Sequence, residues 1–143
     1  DMVGPYGYCA DISRAFVCGN KFNEHQKKIY STAVEQIDYN SRLIKDGVSF
    51  REFTEKAWIL PEKYYGNRYS VMLHGIGLCD EWPAIRYPTD GGERSGTFQK
   101  NMTITLESYI GEVGGNEGVK LEQQYLVGEN GLELMSHHPL EKI

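Results

Sequence analysis

The chain has 143 residues, of which 40% are hydrophobic, and this is enough for the core of one ordinary domain. Its net charge of −5 and pI near 5.4 argue against nucleic-acid or anionic-membrane partners, because both need clustered Lys and Arg. No apolar run approaches the length of a transmembrane helix. The three cysteines lack CxxC spacing, which favours reduced thiols and a soluble cytoplasmic enzyme.

The first elements along the chain are a strand and a long helix. Residues 8–18 are rich in strand formers, and the two-residue alternation of a strand would place Asp11 and Ser13 on one face. Apolar residues then recur at helical spacing, between Asn23 as a capping residue and Gly47 as a stop. This pattern predicts a helix that fills most of that interval.

A second helix and a long loop are predicted next. Ser49 and Glu52 form a capping-box pattern, and Pro61 would end the helix that they begin. Residues 64–96 carry many glycine, proline and aromatic residues and are predicted to be a loop. Loops on a rigid scaffold are where binding sites usually form.

The last third of the chain has the two-residue period of β-strands. In residues 102–107 and 119–122 the apolar side chains take one face, and the polar side chains, including Lys120 and Glu122, take the other. Glycines separate these two strands, and a last short strand is expected at residues 132–135. Helices flanking an antiparallel sheet predict an α+β domain.

Potential metal ligands are scattered along these elements. A single Glu on a strand is usually only a solvated side chain, so it is the set that carries weight. Four carboxylates around one imidazole suit two bridged divalent metal ions, which lie about 3.5–4 Å apart in such centres. The five candidate ligands are Asp1, Asp11, His74, Glu107 and Glu122.

The segments around these residues resemble a known superfamily. DISRAF, HGIG, ITLESY and GVKLEQQYLVGENGLELM are similar to the pita-bread metallopeptidases, which include prolidase, aminopeptidase P, methionine aminopeptidase and creatinase. The resemblance implies a curved antiparallel sheet flanked by helices. It further implies that residues 1–143 are the C-terminal part of a catalytic domain, and that the five candidates are the metal ligands.

One departure separates the chain from the peptidases of that superfamily. Seven residues after His74, where prolidase-like enzymes have a second His, this sequence has Glu81. A Glu cannot replace an imidazole beside a developing oxyanion. The chain instead resembles the dimethylsulfoniopropionate (DMSP) lyases of the DddP type, in GPYGYCADISR, Asn67–Tyr69 and HGIGLCDEWP.

That resemblance implies a carbon–sulfur lyase that cleaves DMSP to dimethyl sulfide and acrylate by β-elimination. It implies Asp80 as the base, Tyr69 as its helper, two metal ions, with iron expected and Mn, Co or Zn as alternatives, and a homodimer. Aromatic faces for the sulfonium cation would come from Tyr69, Trp82, Tyr64 and Tyr65. Two alternatives stay open, since Asp80 could instead orient His74, and the aromatic residues could be packing residues.

The sequence leaves three alternative functions open. The first is the DMSP lyase, with a small-molecule substrate. The second is a dipeptidase or aminopeptidase P that hydrolyses Xaa-Pro bonds, and the third is a binding protein that keeps the fold without catalysis. Because the resemblance places Asp1 inside the active site, the chain is expected to lack an N-terminal domain and the start of its catalytic domain.

Overall fold

The computed structural model describes residues 1–19, 21–92 and 95–141. Its main element is a five-stranded antiparallel sheet with the strand order β4-β3-β5-β6-β7. The strands are β3 (Val71–Gly75), β4 (Ala84–Arg86), β5 (Thr103–Gly111), β6 (Gly118–Val127) and β7 (Leu132–Leu134). A separate small hairpin joins β1 (Met2–Val3) to β2 (Cys9–Ala10) through a 3₁₀ turn at Pro5–Gly7.

Three helices cover one side of this sheet: α1 (Glu24–Ser41), α2 (Phe50–Lys56) and α3 (Glu62–Tyr65). The predicted cap of α1 is present, because the Asn23 side chain accepts from the Gln26 backbone N–H, and the Gln26 side chain accepts from the Asn23 N–H. The helix ends six residues before Gly47. The chain there leaves the helical path because the Asp46 N–H donates to the Gly128 carbonyl.

The second predicted helix is also shorter than its pattern suggests. Ser49 caps α2 by accepting from the Glu52 backbone N–H, as expected, but the helix ends at Lys56 rather than at Pro61. Phe50 and Phe53 both pack edge-on against Phe98, so the core fixes the position of α2.

The two faces of the sheet have different roles. Leu106 on β5 and Leu121 on β6 belong to the buried core beneath α1, together with Ile37 of that helix. The alternating residues, such as Glu107 and Glu122, take the opposite face. The structure therefore has the polar face that was predicted for these two strands. Both strands are longer than predicted.

The expected loop at residues 64–96 was wrong, because its described part contains the end of α3 and the strands β3 and β4. All five residues of β3 are buried, so the strand lacks the alternation that marks a half-exposed strand. The predicted strand at residues 8–18 is reduced to Cys9–Ala10. Among the described residues, no helix is long and apolar enough to cross a lipid bilayer.

Candidate active site

Three buried side chains meet on the polar face of the sheet. His74 of β3 places its Nε2 atom 3.1 Å from Glu107 Oε1 and 3.4 Å from Asp11 Oδ2. One potential ligand atom from each of the three residues lies within 4.8 Å of the other two. Since His74 is only 1% exposed and both carboxylates are also buried, the group is enclosed by protein.

Glu122 completes what we call the ligand cluster: Asp11, His74, Glu107 and Glu122. Glu122 lies directly opposite Glu107 in the pairing of β5 with β6, which brings two carboxylates together across the sheet. Glu122 lies close enough to Asp11 and Glu107 for both to influence its pKa. The structure thus brings together four of the five candidate ligands.

Asp11 reaches the cluster because its segment runs along the edge of β6. Its backbone N–H donates to Gln124 Oε1 at 3.2 Å, and the Glu122 N–H donates to the Ser13 carbonyl at 3.1 Å. The Ser13 hydroxyl also donates to Glu122 Oε2 at 2.6 Å. Asp11 and Ser13 both contact Glu122, as their expected common face suggested.

The fifth candidate, Asp1, is exposed. Its α-amino nitrogen lies 3.4 Å from Asp11 Oδ1, so the residue stands next to the cluster. Within the described part of the chain, no contact of the Asp1 carboxylate with the other four candidates is found. Its role as a ligand therefore stays a prediction.

The second nitrogen of His74 is held by the backbone. Nδ1 lies 2.9 Å from the Gly75 carbonyl oxygen, so that nitrogen carries a proton and donates it. This leaves Nε2 as the atom that faces the carboxylates and could bind a metal ion. Burial alone would lower the pKa of His74, but hydrogen bonds with Glu107 and Gly75 outweigh it and raise the pKa to about 9.

The pKa values of the carboxyl groups in the cluster are shifted in different directions. Burial, together with the hydrogen bond to Glu122, raises the pKa of Asp11 to about 6. Burial opposes ionisation of Glu122 as well, but hydrogen bonds from Glu107, Asp11, Lys120 and Ser13 lower its pKa to about 2. Burial also raises the pKa of Glu107. In the absence of a cation, bound protons therefore reduce the repulsion between these carboxylates.

This donor set fits a divalent metal ion. Carboxylate oxygens and one neutral imidazole nitrogen are the ligands that Mn, Fe, Co and Zn share. The atoms converge from three different strands and one edge segment, and they are shielded from solvent. A cation bound there would displace the protons that Asp11 and His74 carry without it.

Lys120 was missed as a member of the site. Its ammonium lies 2.8 Å from Glu107 Oε2 and 2.5 Å from Glu122 Oε1, and 4.0 Å from the centre of the Tyr69 ring. The sequence showed that Lys120 shares the polar face with Glu122. Its contact with Glu107 follows from the strand register, which the sequence does not reveal.

The residues that the resemblance singles out as departing from the peptidase pattern lie in the β3–β4 loop, which we define as residues 76–83. Asp80, Glu81 and Trp82 are all exposed. Within the described residues, the Asp80 carboxylate makes no hydrogen bond or ion pair. It does not orient His74, whose two ring nitrogens contact Gly75, Glu107 and Asp11 instead.

The four aromatic candidates have separate positions. Tyr69 is half-buried and touches Lys120, and Trp82 is 60% exposed. Tyr64 is 1% exposed and belongs to the hydrophobic core. Tyr65 packs against Tyr87 and hydrogen-bonds Thr89. The structure brings only Tyr69 into contact with the site's charged side chains.

Comparisons of sequence and structure with known proteins agree on the family of the chain. The model of metallopeptidase family M24 matches residues 1–129. Two proteins named dimethylsulfoniopropionate lyase DddP, from Roseovarius nubinhibens and Roseobacter denitrificans, are 35% and 36% identical to the chain over 99% of its length. The chain spans 32% of the length of each of these curated relatives.

A solved structure has the same fold. The prolidase of Pyrococcus horikoshii superimposes on 95% of the chain with a TM-score of 0.78 and 29% identity, and the chain covers 38% of that protein. The predicted α+β pita-bread fold is thereby confirmed, as is the resemblance on which it was based. The chain belongs to the metallopeptidase family M24.

Proposed function

We propose that the protein is a metal-dependent DMSP lyase, in which Asp80 removes the proton that starts a β-elimination. Two relatives at 35% and 36% identity are named as such lyases. The observation that carries the proposal is the position of Asp80. It follows the strand of His74 by five residues and is exposed, and it is not used to hold the ligand cluster together.

The substrate would be held by its carboxylate at the ligand cluster. Asp11, His74, Glu107 and Glu122, with Asp1 as a fifth ligand, would hold two divalent ions, and iron is the metal that we expect. Bound there, the metal supplies positive charge that stabilises the negative charge developing on the substrate carboxylate. The cluster itself fixes that end of the substrate on the rigid sheet.

The elimination balances without water. The Asp80 carboxylate accepts the proton on the carbon next to the substrate carboxylate, and the electrons of that C–H bond form the double bond of acrylate. The carbon–sulfur bond breaks at the same time, and its electron pair leaves with sulfur as neutral dimethyl sulfide. Asp80 is returned to its ionised form when it gives the proton to solvent, to which it is exposed.

Tyr69 and Trp82 are proposed to receive the sulfonium end. The Lys120 ammonium 4.0 Å from the Tyr69 ring centre supports this role, because it demonstrates that a cation is accommodated on that face. Burial and the nearby Glu107 charge raise the pKa of Tyr69, so its hydroxyl stays protonated and can donate. Tyr64 and Tyr65 have no such support from the contacts described above.

A direct assay tests the proposal. The natural full-length protein, loaded with iron or manganese, is incubated with DMSP, and dimethyl sulfide in the headspace is measured by gas chromatography. We expect sulfide release that falls about 100-fold or more in Asp80→Asn, because general-base catalysis contributes roughly 10²–10⁴-fold. Glu55→Gln, which removes an exposed carboxylate on α2, serves as the control.

The absence of dimethyl sulfide from a metal-loaded preparation would refute the lyase. An Asp80→Asn variant as active as the wild type would refute the base. Release of proline from an Xaa-Pro dipeptide panel would instead favour the peptidase alternative, which the prolidase likeness supports and which Glu81, in place of the expected His, opposes. The same preparation can be used for both assays.

A further inference from the structure

Thr105, in the middle of β5, has a hydroxyl group with no partner. The residue is 0% exposed, and within the described residues its Oγ1 atom makes no hydrogen bond. A buried polar group without a partner costs its full desolvation free energy. Such a group in a native protein calls for an explanation, and an unseen ligand is one of the few that the chemistry offers.

The position of Thr105 suggests which ligand this is. It lies directly opposite His74 on one neighbouring strand and opposite Gln124 on the other. It shares the polar face of the sheet with Glu107, two residues further along β5. The register therefore places the Thr105 side chain next to that of His74, on the face of the sheet that carries the ligand cluster.

Gln124 offers a second donor next to it. Its Oε1 atom accepts from the Asp11 backbone N–H, which identifies Nε2 as the other end of the amide. The contact found for Nε2 within the described part of the chain is the Met135 sulfur at 3.9 Å, and thioether sulfur is a weak acceptor. Two neutral donors thus lie side by side across β5 and β6.

A carboxylate is the ligand class that suits this arrangement. The acidic side chains of the site bind cations, whereas Thr105 Oγ1 and Gln124 Nε2 are uncharged donors that need an oxygen acceptor. Since Thr105 is closed to bulk solvent, a ligand that reaches its hydroxyl has to be held within the site. A hydrogen bond to a charged oxygen is stronger than one to a neutral oxygen, which favours a carboxylate over a water molecule.

We propose that Thr105 Oγ1 and Gln124 Nε2 form a neutral donor pair that binds one oxygen of the substrate's carboxylate group. The inference rests on the proposed function only in that the ligand carries a carboxylate at the cluster. It adds two binding residues that the resemblance does not imply. It also predicts that the site recognises the carboxylate by hydrogen bonds as well as by charge.

Propionate is a suitable probe, because it has the carboxylate but neither a sulfonium group nor a peptide bond to cleave. Its dissociation constant for the metal-loaded full-length protein is measured by calorimetry in the wild type, Thr105→Val and Thr105→Ser. We expect an increase of about tenfold for Thr105→Val, which keeps the shape and loses the hydroxyl, and a value near that of the wild type for Thr105→Ser.

Thr103→Val is the matched control, because Thr103 lies on the same face of β5 and its hydroxyl already donates to the Ile76 carbonyl. The melting temperature of the metal-free protein is recorded for each variant, and metal content is measured by elemental analysis. Thr105→Val should leave the melting temperature unchanged or raise it, since no bond within the protein is lost. Thr103→Val should lower it and leave propionate binding unchanged.

Gln124→Glu provides a second measurement. It keeps an oxygen for the Asp11 N–H but replaces the donor by a negative charge, and propionate binding should weaken more than in Thr105→Val. Equal dissociation constants for the wild type and Thr105→Val overturn the inference, as does a loss of thermal stability in Thr105→Val that matches Thr103→Val. Failure of the lyase proposal is distinct, because it shows as no dimethyl sulfide from the wild type.

Discussion

The ligand cluster and the β3–β4 loop differ in how firmly the protein holds their side chains. Every residue of the cluster is buried and bonded to at least one other member, and Ser13 and Lys120 support it. In the loop, Asp80 and Trp82 are exposed. The proposed metal ligands are thus built into the sheet and its edge, and the proposed base lies outside the sheet in an exposed loop.

Under the proposed function, this difference would let one fold host different reactions. Prolidase from Pyrococcus horikoshii superimposes on almost the whole chain, and two proteins similar to the chain in sequence are named as lyases. A change in an exposed loop alters few contacts of the core, whereas a change in the cluster leaves buried charges unpaired. Variants in the two regions should therefore separate metal binding from catalysis.

The largest effect is expected from removal of a ligand. His74→Ala takes away the only imidazole of the cluster and leaves Asp11 and Glu107 without their common partner. Metal affinity should fall at least 100-fold, which exceeds the roughly 10–100-fold loss typical of residues that only support ligands. Calorimetric titration with Mn²⁺ measures the affinity, and wild-type metal content in this variant would show that the metal binds elsewhere.

A substitution at Gly75, next to His74, should reduce lyase activity more than metal affinity. A Cβ atom added at Gly75 would lie 2.0 Å from the Trp82 carbonyl oxygen, so Gly75→Ala must move the β3–β4 loop. We expect lyase activity to fall more than tenfold and metal affinity to fall clearly less, because the substituted residue displaces the loop directly but affects His74 only through the Gly75 carbonyl. Activity and metal affinity measured on one preparation test this separation. An equal loss of both would mean that the two regions are not independent.

The smallest effect is on the pH dependence of stability. The pKa of His74 is raised from 6.5 to about 9, so the stability that its proton contributes is complete below pH 6.5 and is lost as the pH rises through about 9. Asp11, raised from 3.8 to about 6, loses its contribution as the pH rises through about 6. The two changes have the same sign.

The metal-free protein should therefore melt at a lower temperature at pH 9 than at pH 5.5, by several degrees for a loss of about 2–4 kcal/mol. The metal-loaded protein should show a much smaller change, because a cation replaces these protons. Calorimetric melting of both forms across this range measures the difference. A metal-free protein that becomes more stable with rising pH would contradict the proton distribution described for the cluster.

The sequence predicted the sheet elements that have simple alternation. The polar face that carries Glu107 and Glu122 was visible because apolar and polar residues alternate on β5 and β6. The strand of His74 was not, since all five of its residues are buried. Its assignment to the site came from the family resemblance rather than from a local pattern.

Contacts between distant segments could not be predicted from the sequence, for a different reason. Asp11 reaches Glu122 because its segment lies on the edge of β6, and Lys120 reaches Glu107 because the two strands pair in one register. A shift of one residue would turn every side chain to the other face. Tyr64 is the opposite case. It was a candidate for substrate binding, but its side chain lies in the hydrophobic core.

The bond from the Cys9 N–H to the Gly77 carbonyl, 2.9 Å long, ties β2 to the β3–β4 loop. Cys9 precedes Asp11 by two residues, and Gly77 precedes Asp80 by three. A cation that fixes Asp11 would thereby also restrain the backbone that carries Asp80, the proposed base. In the proposed mechanism, a metal ion bound at the cluster would therefore also help to position Asp80 through this one backbone hydrogen bond, before the substrate arrives.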